Sequence, residues 1–196
     1  MRRLYIVAAL LLLLAAPAAA QKATVTRSDG GPMKIDVAGA AVLNKDSALH
    51  REWIVIHHTG IPVKLEYEIG VTAERVGRDY LYKSDIHVTP QEPIAALEIR
   101  FLLFDVWGSH IKTLSFTRVA DLEPGGRQLG QAAWNLYSAN EASEFYASIA
   151  YVARVRTKAG RIINSDIAPV LDEARKFSSK FSAEDLEPKR PAPRDI

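Results

Sequence analysis

The chain has 196 residues and contains no cysteine. Neither a disulfide bond nor a lipid-modified N-terminal cysteine can therefore exist. The sequence also contains no Asn-x-Ser/Thr acceptor, so it gives no indication of glycosylation. Hydrophobic residues make up 48% of the chain, which suffices for a core and excludes disorder of the whole chain.

The chain also lacks an excess of charge of one sign. The chain has 25 Lys and Arg against 23 Asp and Glu, and Arg2 and Arg3 lie in an N-terminal leader that contains no acid. The rest of the chain therefore carries no formal net charge. Because polyanions are held through an excess of basic residues, we expect no nucleic-acid partner.

Residues 1–20 have the features of a secretory signal peptide. Two arginines precede the apolar run 4–16, and a proline and three alanines lead to Gln21. The alanines provide an Ala-x-Ala cleavage site. The run is too short for a membrane-spanning anchor, which needs about 20 apolar residues. We therefore expect cleavage near Gln21, a periplasmic or extracellular location, and no transmembrane anchor after cleavage.

Short apolar runs separated by Gly and Pro turns indicate that the rest of the chain is mainly β. Over residues 63–71, apolar residues alternate with charged ones, which is typical of a half-buried strand. Other runs that indicate strands cover residues 53–58, 80–88, 94–105, 110–119, 128–137, 145–157 and 161–163. The gaps are too short for the crossovers that parallel strands need, so we predict an antiparallel β-sandwich.

One α-helix is predicted, near the C-terminus. Val170, Ala174, Phe177 and Phe181 recur at helical spacing and form one apolar stripe. After them, prolines alternate with charged residues, a composition that should remain extended and solvated. The predicted organisation is a signal peptide at 1–20, a loose lead-in at 21–50, a β-sandwich at 51–165, a helix at 166–182 and a Pro-rich charged tail at 183–196.

A short motif lies in the middle of the predicted sandwich. Residues 101–108 read Phe-Leu-Leu-Phe-Asp-Val-Trp-Gly, and residues 122–125, one strand later, read Leu-Glu-Pro-Gly. Over roughly residues 80–137 the chain resembles the FxLYD family of bacterial exported domains, with Phe104 in place of the family's Tyr. The resemblance implies an immunoglobulin-like fold and a non-catalytic exported module. The matching motif residues are Phe101, Leu103, Phe104, Asp105, Gly108, Pro124 and Gly125.

Residue parity predicts which side chains of the strand 94–105 are buried. Glu98 and Arg100 share one parity and should face solvent. The apolar residues of the other parity should point into the sandwich: Leu97, Ile99, Phe101 and Leu103. Near the end of the strand, Leu102 and Phe104 make the outer face unusually apolar. We expect the C-terminal helix to cover them.

The same strand ends in a predicted hairpin turn. Asp105 can bond backbone amides two residues on, and Gly108 can adopt a positive φ. Trp107 at the tip is expected to be exposed and is a candidate contact residue. Trp53 and Trp134 are expected to be core anchors instead.

Arg154 and Arg156 are the other candidate contact residues. They share a strand face in the only local basic cluster, which continues at Lys158 and Arg161. Such a cluster could meet an anionic lipid or a cell-wall polymer. Cross-strand carboxylate partners are the simpler interpretation.

Catalytic, metal-binding and cofactor-binding motifs are missing, so no such site is predicted. His57 and His58 are adjacent on a strand and project to opposite faces. In Gly108-Ser109-His110, a nucleophile lies beside a base, but neighbours within a hairpin are more often turn residues. A metal site assembled by the fold would draw on the five histidines His50, His57, His58, His87 and His110.

Two classes of function follow from these patterns. The first is an exported, non-enzymatic immunoglobulin-like module that acts through contacts with a protein or a component of the cell envelope. The alternative is a small periplasmic metal- or ligand-binding protein or hydrolase that uses histidines brought together by the fold. The alternative loses its last residues if no two of these histidines can share a site and if no carboxylate-lined pocket exists.

Overall fold

A computed structural model describes residues 22–33, 48–66, 68–76, 79–136 and 139–189. The predicted signal peptide lies outside these residues. Within them the chain is mainly β, with a short helix α1 (Ala139–Glu144), a second helix α2 (Ala168–Phe177) and a 3-10 helix (Ala183–Leu186). The strands are β1 (Ala23–Pro32), β2 (His50–His58), β3 (Val63–Leu65), β4 (Thr72–Val76), β5 (Asp79–Pro90), β6 (Ile94–Asp105), β7 (His110–Leu122), β8 (Arg127–Leu136), β9 (Phe145–Thr157) and β10 (Ile162–Asn164).

The strands form two sheets. The larger sheet has the order β1-β2-β9-β6-β7, with β10 also pairing with β9. In the smaller sheet, β5 pairs with β8 along one side and with β3 and β4 along the other. One buried cluster contains side chains of both sheets, which therefore share a core. Two aromatic pairs link the sheets, Phe101 with Trp134 and Tyr82 with Phe145.

Strand β6 shows the alternation that its sequence predicts. Leu97, Ile99, Phe101 and Leu103 all belong to the core that the two sheets share. Leu102 and Phe104 point to the other side. Side chains therefore alternate between the two faces from Leu97 to Phe104. A register shift between Ile94 and Ala96 lets Ile94 join the shared core as well.

A second layer covers the outer face of the larger sheet. Leu102 and Phe104 pack with Val170 and Ala174 of α2 and with Phe181 and Leu186 beyond it, in a cluster separate from the main core. The rings of Phe104 and Phe177 stack at 5.1 Å between centroids. The apolar outer face of β6 is thus buried by residues of the same chain.

The prediction that Glu98 and Arg100 face solvent is wrong. Glu98 is 5% exposed. Its carboxylate lies 2.8 Å from Arg100 and 2.6 Å from Arg154. Arg100 also binds both carboxylate oxygens of Glu187, at 2.7 and 2.9 Å. The outer layer excludes water from this end of β6, so the charges are neutralised by ion pairing instead of by solvent.

The C-terminal elements differ from the predicted helix 166–182. Helix α2 ends at Phe177. Phe181 follows in a turn, yet it is buried with the same apolar cluster. The tail predicted to be extended and solvated from residue 183 instead forms a 3-10 helix at Ala183–Leu186, capped by reciprocal hydrogen bonds between Ser182 and Asp185. The rest of that tail, residues 190–196, lies outside the described residues.

The N-terminal part also differs from prediction. The lead-in proposed to be loose contains β1, which pairs with β2 over Ala23 to Asp29. Strand β2 runs parallel to β9, with Glu52 beside Ala147 and Ile56 beside Tyr151. The prediction of a purely antiparallel arrangement is therefore wrong at this pair, because two strands far apart in sequence can lie side by side without a local crossover.

The strand predicted over residues 63–71 is interrupted. Only Val63–Leu65 forms β3. Ile69 and Val71 are buried as the alternation suggests, but they lie in the segment that links β3 to β4. Burial parity alone did not distinguish a continuous strand from two short ones.

Candidate functional site

The hairpin between β6 and β7 presents Trp107 at its tip. The Asp105 carboxylate accepts hydrogen bonds from the backbone N–H groups of Trp107 at 2.9 Å and Ser109 at 2.7 Å. Gly108 has a φ of 78°, in the region that favours glycine. The turn chemistry is therefore the one expected from Asp105 and Gly108. The Trp107 side chain projects from this turn and is 77% exposed.

Two further contacts hold the tip in place. The Val106 N–H donates to the Glu144 carbonyl at the end of α1, at 2.9 Å. On the other side, a Cβ added at Gly108 would lie 2.5 Å from the Phe177 carbonyl at the end of α2. The turn is thus packed between two helix ends. A rigidly held aromatic side chain loses little conformational freedom when it binds a partner.

The basic candidates Arg154 and Arg156 are exposed on β9. Arg154 is paired with Glu98 across the strands, as the simpler interpretation of the cluster predicts. Lys158 pairs with Glu123 and Asp121, and Arg161 pairs with Glu92. Carboxylates therefore neutralise most of this cluster, which weakens its attraction for an anionic surface.

The structure does not bring Trp107 and the two arginines together. In the register of β6 with β9, Asp105 lies beside Phe145, whereas Glu98 lies beside Arg154. The tip and the basic cluster are therefore at opposite ends of the larger sheet. The second family turn, with Pro124 and Gly125, also lies away from Trp107, because it follows the far end of β7.

The histidines do not gather in one place: His57 and His58 line one groove, and His87 lines another. His50 pairs with Asp29 at 2.8 Å, and His58 is buried with its ring 6.5 Å from that of Tyr151. Among the residues that the structure describes, no three His, Asp or Glu side chains are grouped as a metal site would require.

His110 is the histidine whose surroundings most resemble a catalytic arrangement. Its Nε2 lies 3.1 Å from the Thr113 hydroxyl, and its Nδ1 lies 4.0 Å from the Asp185 carboxylate. The Thr113 hydroxyl donates to the Asp185 backbone carbonyl at 2.5 Å, so Nε2 must donate to Thr113 instead of removing its proton. Burial lowers the pKa of His110 below its usual value of 6.5, and Asp185 opposes this only in part. The arrangement holds the 3-10 helix on β7.

Sequence reasoning missed an acidic groove beside Trp53. Asp29, Glu66, Glu68 and Asp85 line it together with Trp53, which was expected to be a core anchor and is only partly buried. The alternation around Glu66 and Glu68 indicates an outward-facing charge row, and both residues are indeed exposed. Asp29 lies on β1 and Asp85 on β5. No spacing in the sequence indicates that these two residues would join Glu66 and Glu68 in one groove.

Comparison with known proteins adds one structural neighbour. No family model matches the chain, and no curated protein matches it. A solved structure of a hypothetical protein from Peptoclostridium difficile 630 is 9% identical, with a TM-score of 0.42; the match covers 60% of this chain and 92% of that one. In the described part of this chain, no helix has the length and apolar character needed to cross a membrane.

Proposed function

We propose that the protein is an exported, non-enzymatic module with an immunoglobulin-like fold that acts through contacts with a protein or a component of the cell envelope. The observation that carries this proposal is Trp107, which is 77% exposed on a turn fixed by hydrogen bonds and by two helix ends. Tryptophan is one of the residue types enriched among the few residues that dominate binding at protein interfaces.

The order of the strands supports the immunoglobulin-like part of the proposal. Strands β5 and β8 belong to one sheet, whereas β6, β7, β9 and β10 belong to the other. The chain therefore crosses between the sheets before β6, before β8 and again before β9, as Greek-key sandwiches do. The addition of β1 and β2 beside β9 extends this arrangement, and the FxLYD resemblance of residues 101–108 is part of the same proposal.

The geometry around Thr113 supports a non-enzymatic role. Its hydroxyl proton is committed to a backbone carbonyl, so the nearby His110 cannot act on it as a general base. The carboxylate-lined groove beside Trp53 and His87 fits the ligand-binding part of the alternative. Export follows from the signal peptide proposed for residues 1–20, and the mass of the secreted form should correspond to a chain that begins near Gln21.

Capture from the native cell envelope tests the contact role of Trp107. The immobilised protein is compared with Trp107→Ala and with Val119→Ala, a matched control because Val119 is 79% exposed on the same hairpin. We expect the wild type and Val119→Ala to retain the same partner and Trp107→Ala to lose roughly tenfold or more of it, as for a hot-spot tryptophan. Equal retention by all three would contradict the proposal. Trp107→Ala should change the free energy of unfolding by about 0.5 kcal/mol or less, since the side chain is exposed.

A further inference from the structure

The outer face of the larger sheet is covered by residues 165–189, here called the covering segment, which follow β10 and include α2 and the 3-10 helix. Its apolar side chains join an outer cluster with the sheet: Val170, Ala174, Phe181 and Leu186. Helix α2 has ten residues, and a helix of that length is marginal in water without packing. The covering segment is therefore held by its contacts with the sheet, and it can open locally while the strand pairing persists.

A histidine lies under the far end of the covering segment. The ring of His110 packs edge to face on that of Phe181, at 4.8 Å between centroids, and lies 5.7 Å from the ring of Phe104. Two phenyl rings thus replace water around much of this imidazole. Because a charged group loses its hydration in such surroundings, the neutral form of His110 fits the closed segment best.

Two charged groups act on His110 from the covering segment. The Asp185 carboxylate lies 4.0 Å from Nδ1, beyond hydrogen-bonding distance, and it also accepts hydrogen bonds from the Ser182 N–H and hydroxyl at 3.0 and 3.1 Å. Lys189 acts in the opposite direction, because its ammonium group repels an imidazolium. Burial outweighs Asp185 and lowers the pKa of His110 below 6.5. A proton on His110 is therefore poorly compensated while the segment is closed.

A second histidine lies near the beginning of the covering segment. His58 is 6% exposed, and both of its ring nitrogens are buried. Its ring lies 6.5 Å from that of Tyr151, a member of the outer cluster. Asp166, just before α2, favours the protonated ring through its backbone and its carboxylate, but burial outweighs both and lowers the pKa of His58. Each end of the covering segment thus rests beside a buried imidazole.

We propose that the covering segment is released by acid: protonation of His58 and His110 opens it and exposes the apolar outer face of the larger sheet, while the two sheets stay folded. In the open form both rings reach water and bind protons with the ordinary pKa of histidine, about 6.5. Protons therefore favour the open form as the pH falls through that value. This inference concerns the C-terminal layer and does not depend on the contact role proposed for Trp107.

The size of the effect follows from the two protonation equilibria. One unit below a pKa of about 6.5, a solvated histidine is protonated about ten times as often as it is neutral. Each buried histidine can thus raise the population of the open form by up to roughly tenfold between about pH 7.5 and pH 5.5. This window lies above the ordinary pKa range of carboxyl groups, about 4, and the pKa of Asp185 is lowered further. Titration of carboxylates does not mimic the effect there.

Amide hydrogen exchange of the full chain measures the opening directly. Rates at about pH 7.5 and pH 5.5 are corrected for the intrinsic pH dependence of exchange. The protection of amides in α2 should fall by roughly tenfold or more at the lower pH. Amides of β6 that pair with β7 and β9 should keep their protection. An equal fall in α2 and β6 would indicate global unfolding, and no fall in α2 would show that the segment ignores acid. Either result would overturn the proposal.

Variants assign the opening to the two histidines. In the double variant His58→Gln, His110→Gln, the protection of α2 should be the same at both pH values, because glutamine does not titrate. Each single variant should keep a reduced pH dependence. The matched control is His50→Gln, since His50 is exposed and pairs with Asp29 on β1, away from the covering segment. It should respond to acid as the wild type does. A full fall of α2 protection in the double variant would contradict the assignment.

Titration of the histidine rings keeps the proposal testable if the double variant does not fold. Nuclear magnetic resonance follows the Cε1–H signals of the five histidines, assigned by their loss in the single variants. In the wild type, His58 and His110 should titrate below 6.5. In Phe181→Ala, which removes a ring packed on His110, the pKa of His110 should move towards 6.5. A pKa of 6.5 or above for both histidines in the wild type would overturn the proposal. Loss of capture in Trp107→Ala bears on the hairpin tip alone.

Discussion

The inner face of β6 packs against a second sheet, whereas its outer face is covered by a C-terminal segment of the same chain. The inner residues are entirely apolar and belong to a core shared by both sheets. The outer face is apolar near Phe104 and ionic near Glu98, where Arg100 reaches Glu187 of the covering segment. The inner core depends on strand pairing across the whole molecule. The outer cover depends on a few side chains that follow β10.

One strand can thus pack against two layers that contribute unequally to the stability of the molecule. Detaching the outer layer leaves the pairing of β6 with β7 and β9 intact, but detaching the inner layer removes the contact between the sheets. We therefore expect substitutions on the inner face to unfold the molecule as a whole. Substitutions on the outer face should first open the C-terminal cover.

The largest effect is expected for Phe101→Ala. Phe101 is fully buried and contacts Trp134 of the other sheet edge to face, at 5.5 Å. Loss of the ring should lower the free energy of unfolding by about 3 to 5 kcal/mol, as other buried Phe→Ala changes do. Urea denaturation measures this change, with the exposed Thr117→Ala as the control on β7. If Phe101→Ala lost less free energy of unfolding than the outer-face variants, the ranking of the two layers would be reversed.

A somewhat smaller effect is expected for Phe181→Ala. Its ring lies 5.7 Å from that of Phe104 and 4.8 Å from that of His110. The free energy of unfolding of this variant should fall by about 2 to 4 kcal/mol. The loss is smaller than for Phe101→Ala because the cover can detach locally. Hydrogen exchange at α2 and binding of an apolar dye should increase before global unfolding. Lys180→Ala, at an exposed neighbouring position, should show neither change.

Sedimentation of the wild type and of Phe181→Ala distinguishes a cover within one chain from an assembly surface between chains. If the wild type sedimented as a dimer and Phe181→Ala as a stable monomer, the apolar cluster would serve association between chains.

Glu98→Ala tests the ionic half of the outer face. The change leaves the largely buried Arg100 without one of its two carboxylates and also removes the partner of Arg154. We expect a loss of about 1 to 3 kcal/mol in chemical denaturation, because a buried charge becomes poorly paired. Glu184→Ala is the control: Glu184 is exposed in the same covering segment, so the change should cost about 0.5 kcal/mol or less. If Glu98→Ala and its control lost the same free energy of unfolding, Glu98 would behave as a surface residue.

The smallest effect concerns pH. Burial lowers the pKa values of His57, His58 and His110 below 6.5, and neighbouring carboxyl groups only partly oppose this. The unfolded chain therefore binds more protons than the folded chain as the pH falls through 6.5. Stability should be complete above that pH and decrease progressively below it.

Denaturation at a series of pH values between about 7 and 5 measures this dependence. Because Asp29 and Asp185 have pKa values lowered from 3.8, their contributions are lost only in more acidic solution. The slope between pH 7 and 5 should diminish in His110→Gln. An unchanged slope in His57→Gln, His58→Gln and His110→Gln alike would contradict the assignment to these three histidines.

Local patterns predicted the motif strand well because the relevant physics is local. The parity of Leu97 to Leu103 reports directly on two faces of one strand, and Asp105 and Gly108 determine their turn through contacts within five residues. The same reasoning located the apolar outer face at Leu102 and Phe104. It also identified the residues of α2 that bury it, since an unpartnered apolar face and an unpartnered apolar stripe require cover.

The errors occur where distant segments determine the environment. Glu98 looks like a surface charge until the C-terminal residues cover it. The pairing of β2 with β9 cannot be inferred from either strand alone, and β1 has few apolar residues because it lies at the edge of its sheet. The acidic groove is of the same kind, because Asp29 and Asp85 are adjacent only after both sheets have formed.

The parallel pairing of β2 with β9 also determines when the chain can fold. Residues 52–56 of β2 have their neighbours at 147–151, so this pairing waits until most of the chain is available. Contacts so distant in sequence slow folding, because the intervening loop must close before the contacts form. While the chain is being synthesised, β1 and β2 can pair only with each other, and an isolated two-stranded hairpin is marginal in water. The parallel pairing thus delays completion of the larger sheet until β9 has been synthesised.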